Sequence, residues 1–159
     1  MKLGATQGFA AGALLPPAAV ATALFTQHGL GMLPCPWCVL QRLIFLTVAL
    51  AAVAGLALGG AIARRIAALT MLLVAGCGVA AALWQHFVAS ASASCNLTLA
   101  DRIVGATGLD ALLPQVFAAY ASCADAKATL LGVPYEFYSL TLFSLLSVVS
   151  LLILLGRLR

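Results

Sequence analysis

Residues 33–62 read LPCPWCVLQRLIFLTVALAAVAGLALGGAI, and this stretch decides what kind of protein the chain is. From Val39 to Ile62 a single charge, Arg42, interrupts an apolar run long enough to cross a bilayer as a helix, which takes about 20 residues. Three further segments match it: Gly8 to Phe25, Ile66 to Val88 and Tyr138 to Leu155. The 159 residues are 64% hydrophobic and 8% charged, against about 25% charged in a soluble domain. So few charges cannot coat a surface that faces water. The sequence predicts an all-α membrane protein, a bundle of four transmembrane helices in one domain over residues 1–159, with no room for a second soluble domain.

The connections sharpen this. A short loop runs over about residues 26–38, a tight turn is expected at Arg64-Arg65, and a long segment covers about 89–137. That segment holds Asn96, Asp101, Arg102, Asp110, Asp125, Lys127 and Glu136, so it is solvated. If all four segments span, Lys2, Arg64, Arg65, Arg157 and Arg159 fall on one side and all four acids on the other. Basic residues mark the cytoplasmic side. Both termini are then cytoplasmic, and the loops at about 26–38 and 89–137 are periplasmic. The net charge of +4 is read as topology and not as a nucleic-acid footprint, because no basic run exceeds Arg64-Arg65. Residues 1–25 also look like a secretory signal, but the apolar run is long for a signal core, so it is read as a retained span.

Smaller features carry expectations of their own. Gly4, Gly8 and Gly12, and likewise Gly55 and Gly59, suit close helix packing, and Pro16-Pro17 is expected to kink the first helix. In the long loop Leu112, Leu113, Val116, Phe117 and Tyr120 recur at helical spacing, and Pro114 suits the first position of a short amphipathic helix. That helix either lies flat on the lipid or packs on the end of the bundle.

Five cysteines remain. Cys77, mid-span between Gly76 and Gly78, is read as a buried small hydrophobe without chemistry. Cys35, Cys38, Cys95 and Cys123 form an even set on the side where disulfides persist. Zinc is disfavoured, because Cys95 and Cys123 are separated by the 27 residues from Asn96 to Ser122 in place of a second Cys-x-x-Cys knuckle. A static staple suits Cys95 and Cys123. It suits Cys35 and Cys38 poorly, because so small a loop removes little chain entropy, whereas a Cys-x-x-Cys pair at a helix start has the setting of a redox-active thiolate. Arg42, one turn beyond Cys38, favours a thiolate or an electron acceptor there, the alternative being that it snorkels to the headgroups.

CPWCVLQR, a third span, and then Cys95 and Cys123 flanking LLPQVF resemble the DsbB family of bacterial inner-membrane thiol oxidases. The resemblance covers nearly the whole chain. It implies a protein dithiol:quinone oxidoreductase that regenerates a periplasmic DsbA-like thioredoxin-fold oxidase and draws on the membrane quinone pool. By that resemblance the partner's thiol attacks Cys95, and Cys123 is the resting partner of Cys95 and carries the exchange across to Cys35. Cys38 faces ubiquinone or menaquinone, Arg42 supports the quinone, and Gln41 helps to shape its site. No metal is implied. Departures are the Pro36-Trp37 dipeptide and FVASASASC (87–95), which lacks a proline that many relatives carry. His86, beside Trp84, is read as a membrane anchor, with a place near the quinone as the alternative.

A relative of vitamin K epoxide reductase is the nearest enzymatic rival, but there the loop pair precedes the Cys-x-x-Cys. A disulfide-stapled membrane scaffold without turnover, and a specialised paralogue serving a dedicated substrate oxidase, stay open.

Overall fold

The computed structural model describes residues 4–91 and 97–158. In chain order the elements are α1 (Ala5–Leu30), α2 (Pro36–Ala57), α3 (Ala61–Phe87), three short helices α4 (Leu99–Thr107), α5 (Leu109–Leu112) and α6 (Pro114–Phe117), a hairpin of β1 (Thr129–Leu130) and β2 (Val133–Pro134), and α7 (Tyr135–Leu154). Helices α1, α2, α3 and α7 are long and apolar enough to cross a membrane. The chain is thus a multi-pass membrane protein built on four helices. Their outer faces carry Leu14, Leu50, Leu73 and Val148, all exposed, which suits a surface solvated by lipid.

The four helices form a ring: α1 lies against α2, α2 against α3, α3 against α7, and α7 closes back on α1. Phe9, Phe45, Val48, Met71, Phe143 and Leu146 fill its centre, where the Phe45 and Phe143 rings stack 3.9 Å apart. Glycine admits these large groups. A Cβ on Gly12 would lie 2.5 Å from the Met71 methyl, and one on Gly55 2.4 Å from the Phe9 ring. One on Gly78 would lie 2.5 Å from the Phe143 ring and one on Gly8, less tightly, 3.0 Å from Val149 and Ile153, whereas Gly59 faces open space. The close packing expected of the glycines therefore holds at Gly8, Gly12 and Gly55 and fails at Gly59.

Three other expectations are corrected. The turn between the second and third helices lies at residues 58–60, and Arg64-Arg65 belong to the first turns of α3. Gly60, at φ 102°, makes the break that the arginines were expected to mark. The stripe from Leu112 to Tyr120 is not one amphipathic helix. Pro114 does open α6, but Leu113 leaves helical geometry at φ −132°, ψ 63°, and α6 ends after four residues. Phe117 is buried while Leu112 and Leu113 are exposed. The regular loop helix is instead α4, capped by Thr98 and Asp101, each side chain accepting from the other's backbone N–H. Finally, Cys77 is exposed on the outer face of α3, not buried. α1 runs unbroken through Pro16-Pro17.

Candidate active site

The site grows from the first turn of α2. Cys35 is the N-cap residue, its backbone extended at φ −88°, ψ 168°, and its sulfur accepts from the Cys38 N–H at 3.3 Å. Pro36 takes the first helical position, where a missing N–H costs nothing. A sulfur thus does the work that a serine or aspartate oxygen does at most helix starts. Spacing by one turn brings the Cys35 and Cys38 sulfurs to 2.8 Å.

Cys123 arrives from the long connection. The N–H groups of Tyr120 and Ala121 donate to the Pro34 carbonyl at 3.0 and 3.3 Å, tying the loop to the residue before Cys35. The Cys35 thiol meets both neighbours. Its hydrogen bonds with Cys123 and then Cys38, followed by burial, push its pKa up, so it holds its proton. The Cys123 thiol is pulled below its ordinary value, foremost by the Cys35 thiol and also by the Trp37 backbone N–H, with burial opposing. The result is a row, Cys123–Cys35–Cys38, with an anion favoured at Cys123 and a proton kept in the middle. Cys35 is fully buried, so exchange reaches it only through its neighbours. Cys95 lies outside the described residues.

The two ends of the row open in different directions. Cys123 lines a wide groove of about 1060 Å³ whose walls include Trp37, Trp84, Leu97, Leu99 and Tyr120. Cys38 lines a separate cavity of about 230 Å³ together with Gln41, Arg42, Gln85, Tyr135 and Glu136. Arg42 is 5% exposed, so it does not snorkel to the headgroups. Its Nη1 donates to Gln27 Oε1 and to the Val116 carbonyl, both at 2.8 Å. These acceptors are neutral, and no carboxylate bridges Arg42 among the described residues, so its positive charge is held for the cavity. Gln85 Nε2 donates to the Cys38 sulfur at 3.3 Å, and Gln41 Nε2 donates to Gln85 Oε1 at 2.7 Å, which fixes the amide's orientation.

Cys35, Cys38, Arg42, Gln41 and Cys123 therefore meet at one end of the bundle. Sequence reasoning missed Gln27, Gln85 and Glu136. A signal for the glutamines existed: Gln27, Gln41 and Gln85 lie near the same end of three apolar helices, where a polar side chain is costly unless it has a task. His86 reaches across to α7. Its Nδ1 lies 2.7 Å from Glu136 Oε1, and its ring meets Phe137 edge-on.

A family profile described as "Disulfide bond formation protein DsbB" matches residues 5–153. The chain is 32% identical over 135 residues to a protein of Aromatoleum aromaticum named disulfide bond formation protein B, covering 82% of this chain and 81% of that one. It is 33% identical over 127 residues to a protein of that name from Pseudomonas syringae pv. tomato, covering 79% and 75%. A protein of the same name from Burkholderia pseudomallei is 32% identical over 154 residues, covering 92% and 89%.

Proposed function

We propose, because the chain belongs to the DsbB family of disulfide bond formation proteins, that it reoxidises a periplasmic thioredoxin-fold dithiol oxidase of the DsbA kind and delivers the two electrons to membrane quinone, ubiquinone or menaquinone. The observation that supports this best is the row of sulfurs leading from the groove at Cys123 to the cavity at Cys38. The charge pattern supports a bacterial inner-membrane setting with both termini cytoplasmic and the 89–137 connection periplasmic.

The exchange steps follow from the chemistry of thiolates. The partner's thiolate attacks the Cys95 sulfur, the Cys95–Cys123 bond breaks, and Cys123 leaves as a thiolate to which the Trp37 backbone N–H donates. With Cys35 and Cys38 oxidised, that Cys123 thiolate attacks Cys35, and Cys38 is the leaving group. Cys38 leaves into a place prepared for an anion, with the Gln85 amide donating to it and the Arg42 guanidinium beside it. The partner's second thiol then releases Cys95, which returns to Cys123 and frees Cys35. One partner dithiol has become a disulfide, and both electrons reside on Cys35 and Cys38.

The cavity residues fit a quinone. Val20, Phe45 and Leu142 offer apolar wall for a ring, and Arg42 and Gln41 offer N–H donors for carbonyl oxygens. When bound, a quinone supplies the two-electron acceptor that no side chain provides. The chain's own part is to hold Cys38 as an anion next to a fixed cation, keep Cys35 beside it, and exclude water.

Stopped-flow mixing of the purified protein with a reduced DsbA-like oxidase tests the reading. Without quinone, oxidation of the partner should stall once the protein's own disulfides are spent; with quinone it should continue while quinone is consumed. A disulfide-stapled scaffold would show no partner oxidation in either case, and its cysteines would stay oxidised throughout.

A further inference from the structure

Glu136 does not belong to the thiol relay, yet it lines the same cavity as Cys38 and Arg42. It lies in the first turn of α7, and its carboxylate meets the His86 imidazole of α3 at 2.7 Å. The two side chains differ in exposure: 14% for Glu136 and 33% for His86. The carboxylate is therefore the inner member of the pair and the imidazole the outer one. Together they join the cavity wall to the surface at the end of the bundle.

Proton balance gives this connection a task. Reducing a quinone to a quinol takes two electrons and two protons. Closing the Cys35–Cys38 disulfide releases both electrons, but a pair in which Cys35 is a thiol and Cys38 a thiolate releases one proton only. We infer that Glu136 delivers the second proton to quinone in the cavity and that His86 reloads it from the aqueous phase outside. In the balanced step the Cys35 S–H and the Glu136 O–H break, the Cys35–Cys38 S–S bond forms, and the quinol gains two O–H bonds. The Glu136 carboxylate then takes the proton of the His86 imidazolium, and the imidazole recovers one from water. The other titratable or charged side chains on this wall are Cys38 and Arg42 from α2 and Tyr135 and Tyr138 from α7; α1 contributes Thr22 and none that titrates. This inference rests on the reading of the cavity as the quinone site.

The test uses the full chain in nanodiscs, reduced beforehand and mixed with a soluble short-chain ubiquinone. Quinone absorbance gives the single-turnover rate, a pH-indicator dye gives proton uptake, and calorimetry gives quinone affinity with the protein oxidised. In the wild type, uptake of one proton from solution per quinone should accompany reduction. Quinone reduction and proton uptake should share one rate, because the second O–H bond needs the proton that the pair supplies. Glu136→Gln should slow the step about 100-fold, the low end for a positioned general acid, and slow proton uptake with it, while leaving quinone affinity unchanged. Glu136→Asp should restore part of the rate and of the proton uptake. His86→Gln, which preserves the carboxylate, should slow proton uptake more than quinone binding and carries the test if Glu136→Gln does not fold. Wild-type rate and proton uptake in either Gln variant would overturn the inference and leave the quinone site standing. Quinone affinity that is absent in the wild type, or unchanged in Arg42→Leu, would overturn the underlying reading instead.

Discussion

The groove beside Cys123 and the cavity behind Cys38 flank one row of sulfurs but are built from different parts of the chain. The groove is about 1060 Å³, and much of its wall comes from the long connection, in Leu97, Leu99, Tyr120 and Cys123. The cavity is about 230 Å³ and draws most of its wall from the four long helices. Aromatic and aliphatic side chains make most of the first, whereas the second holds a buried guanidinium and two glutamines, each tied by a hydrogen bond. A wide apolar groove suits another protein's surface, and a small cavity with fixed donors suits a molecule whose charge changes during reaction. On the proposed function, the division teaches that the two half-reactions are separable by mutation, since only the thiols are shared.

The largest expected effect breaks the row at its inner end. Cys38→Ala should abolish quinone reduction while leaving the exchange between the partner and the Cys95–Cys123 pair, which a mixed-disulfide trapping assay would detect. Quinone reduction persisting in that variant would mean that electrons leave elsewhere and that the cavity is not their exit.

Arg42→Leu comes next. It should raise the apparent quinone KM and slow turnover by roughly tenfold, equivalent to about 1.4 kcal/mol of lost stabilisation. Arg42→Lys should keep part of the activity, because the charge survives while the planar fork is lost. Steady-state kinetics at limiting quinone and partner-exchange rates at Cys95 should part company: the first impaired, the second near normal. Equal losses in both would erase the distinction between groove and cavity.

A smaller effect is read by pH. A thiolate-selective methylating reagent should modify Cys123 of the reduced protein at a pH below the ordinary thiol midpoint of about 8.5, because its pKa is lowered. Since the Cys35 thiol is the foremost cause, Cys35→Ala should move the midpoint of the Cys123 curve upward, as mass spectrometry of the methylated peptides would show. Cys35 itself, with its pKa raised, should stay unmodified across the same range. An unmoved Cys123 midpoint would show that the helix N–H groups alone stabilise the anion.

Smallest of all, Cys77→Ala should leave partner oxidation and quinone reduction unchanged. Cys77 lines the same groove as Cys123 but sits on the exposed face of α3, away from the row. A slowed partner reaction would extend the working part of the groove along that helix.

What could be read in advance follows a physical boundary. The spans, the thiol pair at a helix start and Arg42 one turn beyond it are local patterns, visible because hydropathy and helical spacing act over a few residues. The contacts of Arg42 were not visible: Gln27 and Val116 reach it from far along the chain, and only the docking of α1 and α6 brings them together. The Glu136–His86 contact likewise requires α3 and α7 to be neighbours. The misplaced turn has a different origin. Charge marked Arg64-Arg65 as the end of a span, but α3 extends past them to Gly60, whose backbone does the turning. At Leu112 to Tyr120 the periodicity is real in sequence and is interrupted by Leu113, whose conformation no pattern of hydrophobicity reveals.

The Arg42 guanidinium has a consequence for how the molecule is assembled. It ties the end of α1 to the start of α2 and, through the Val116 carbonyl, receives the loop that carries Cys123. Gln27 of α1 adds a bond to the Gln115 carbonyl, so the corner that receives the loop is complete only when the first two helices lie side by side. Pairing of α1 with α2 and the approach of Cys123 to Cys35 are thereby linked through one side chain, so loosening the first helix should also loosen the row of sulfurs.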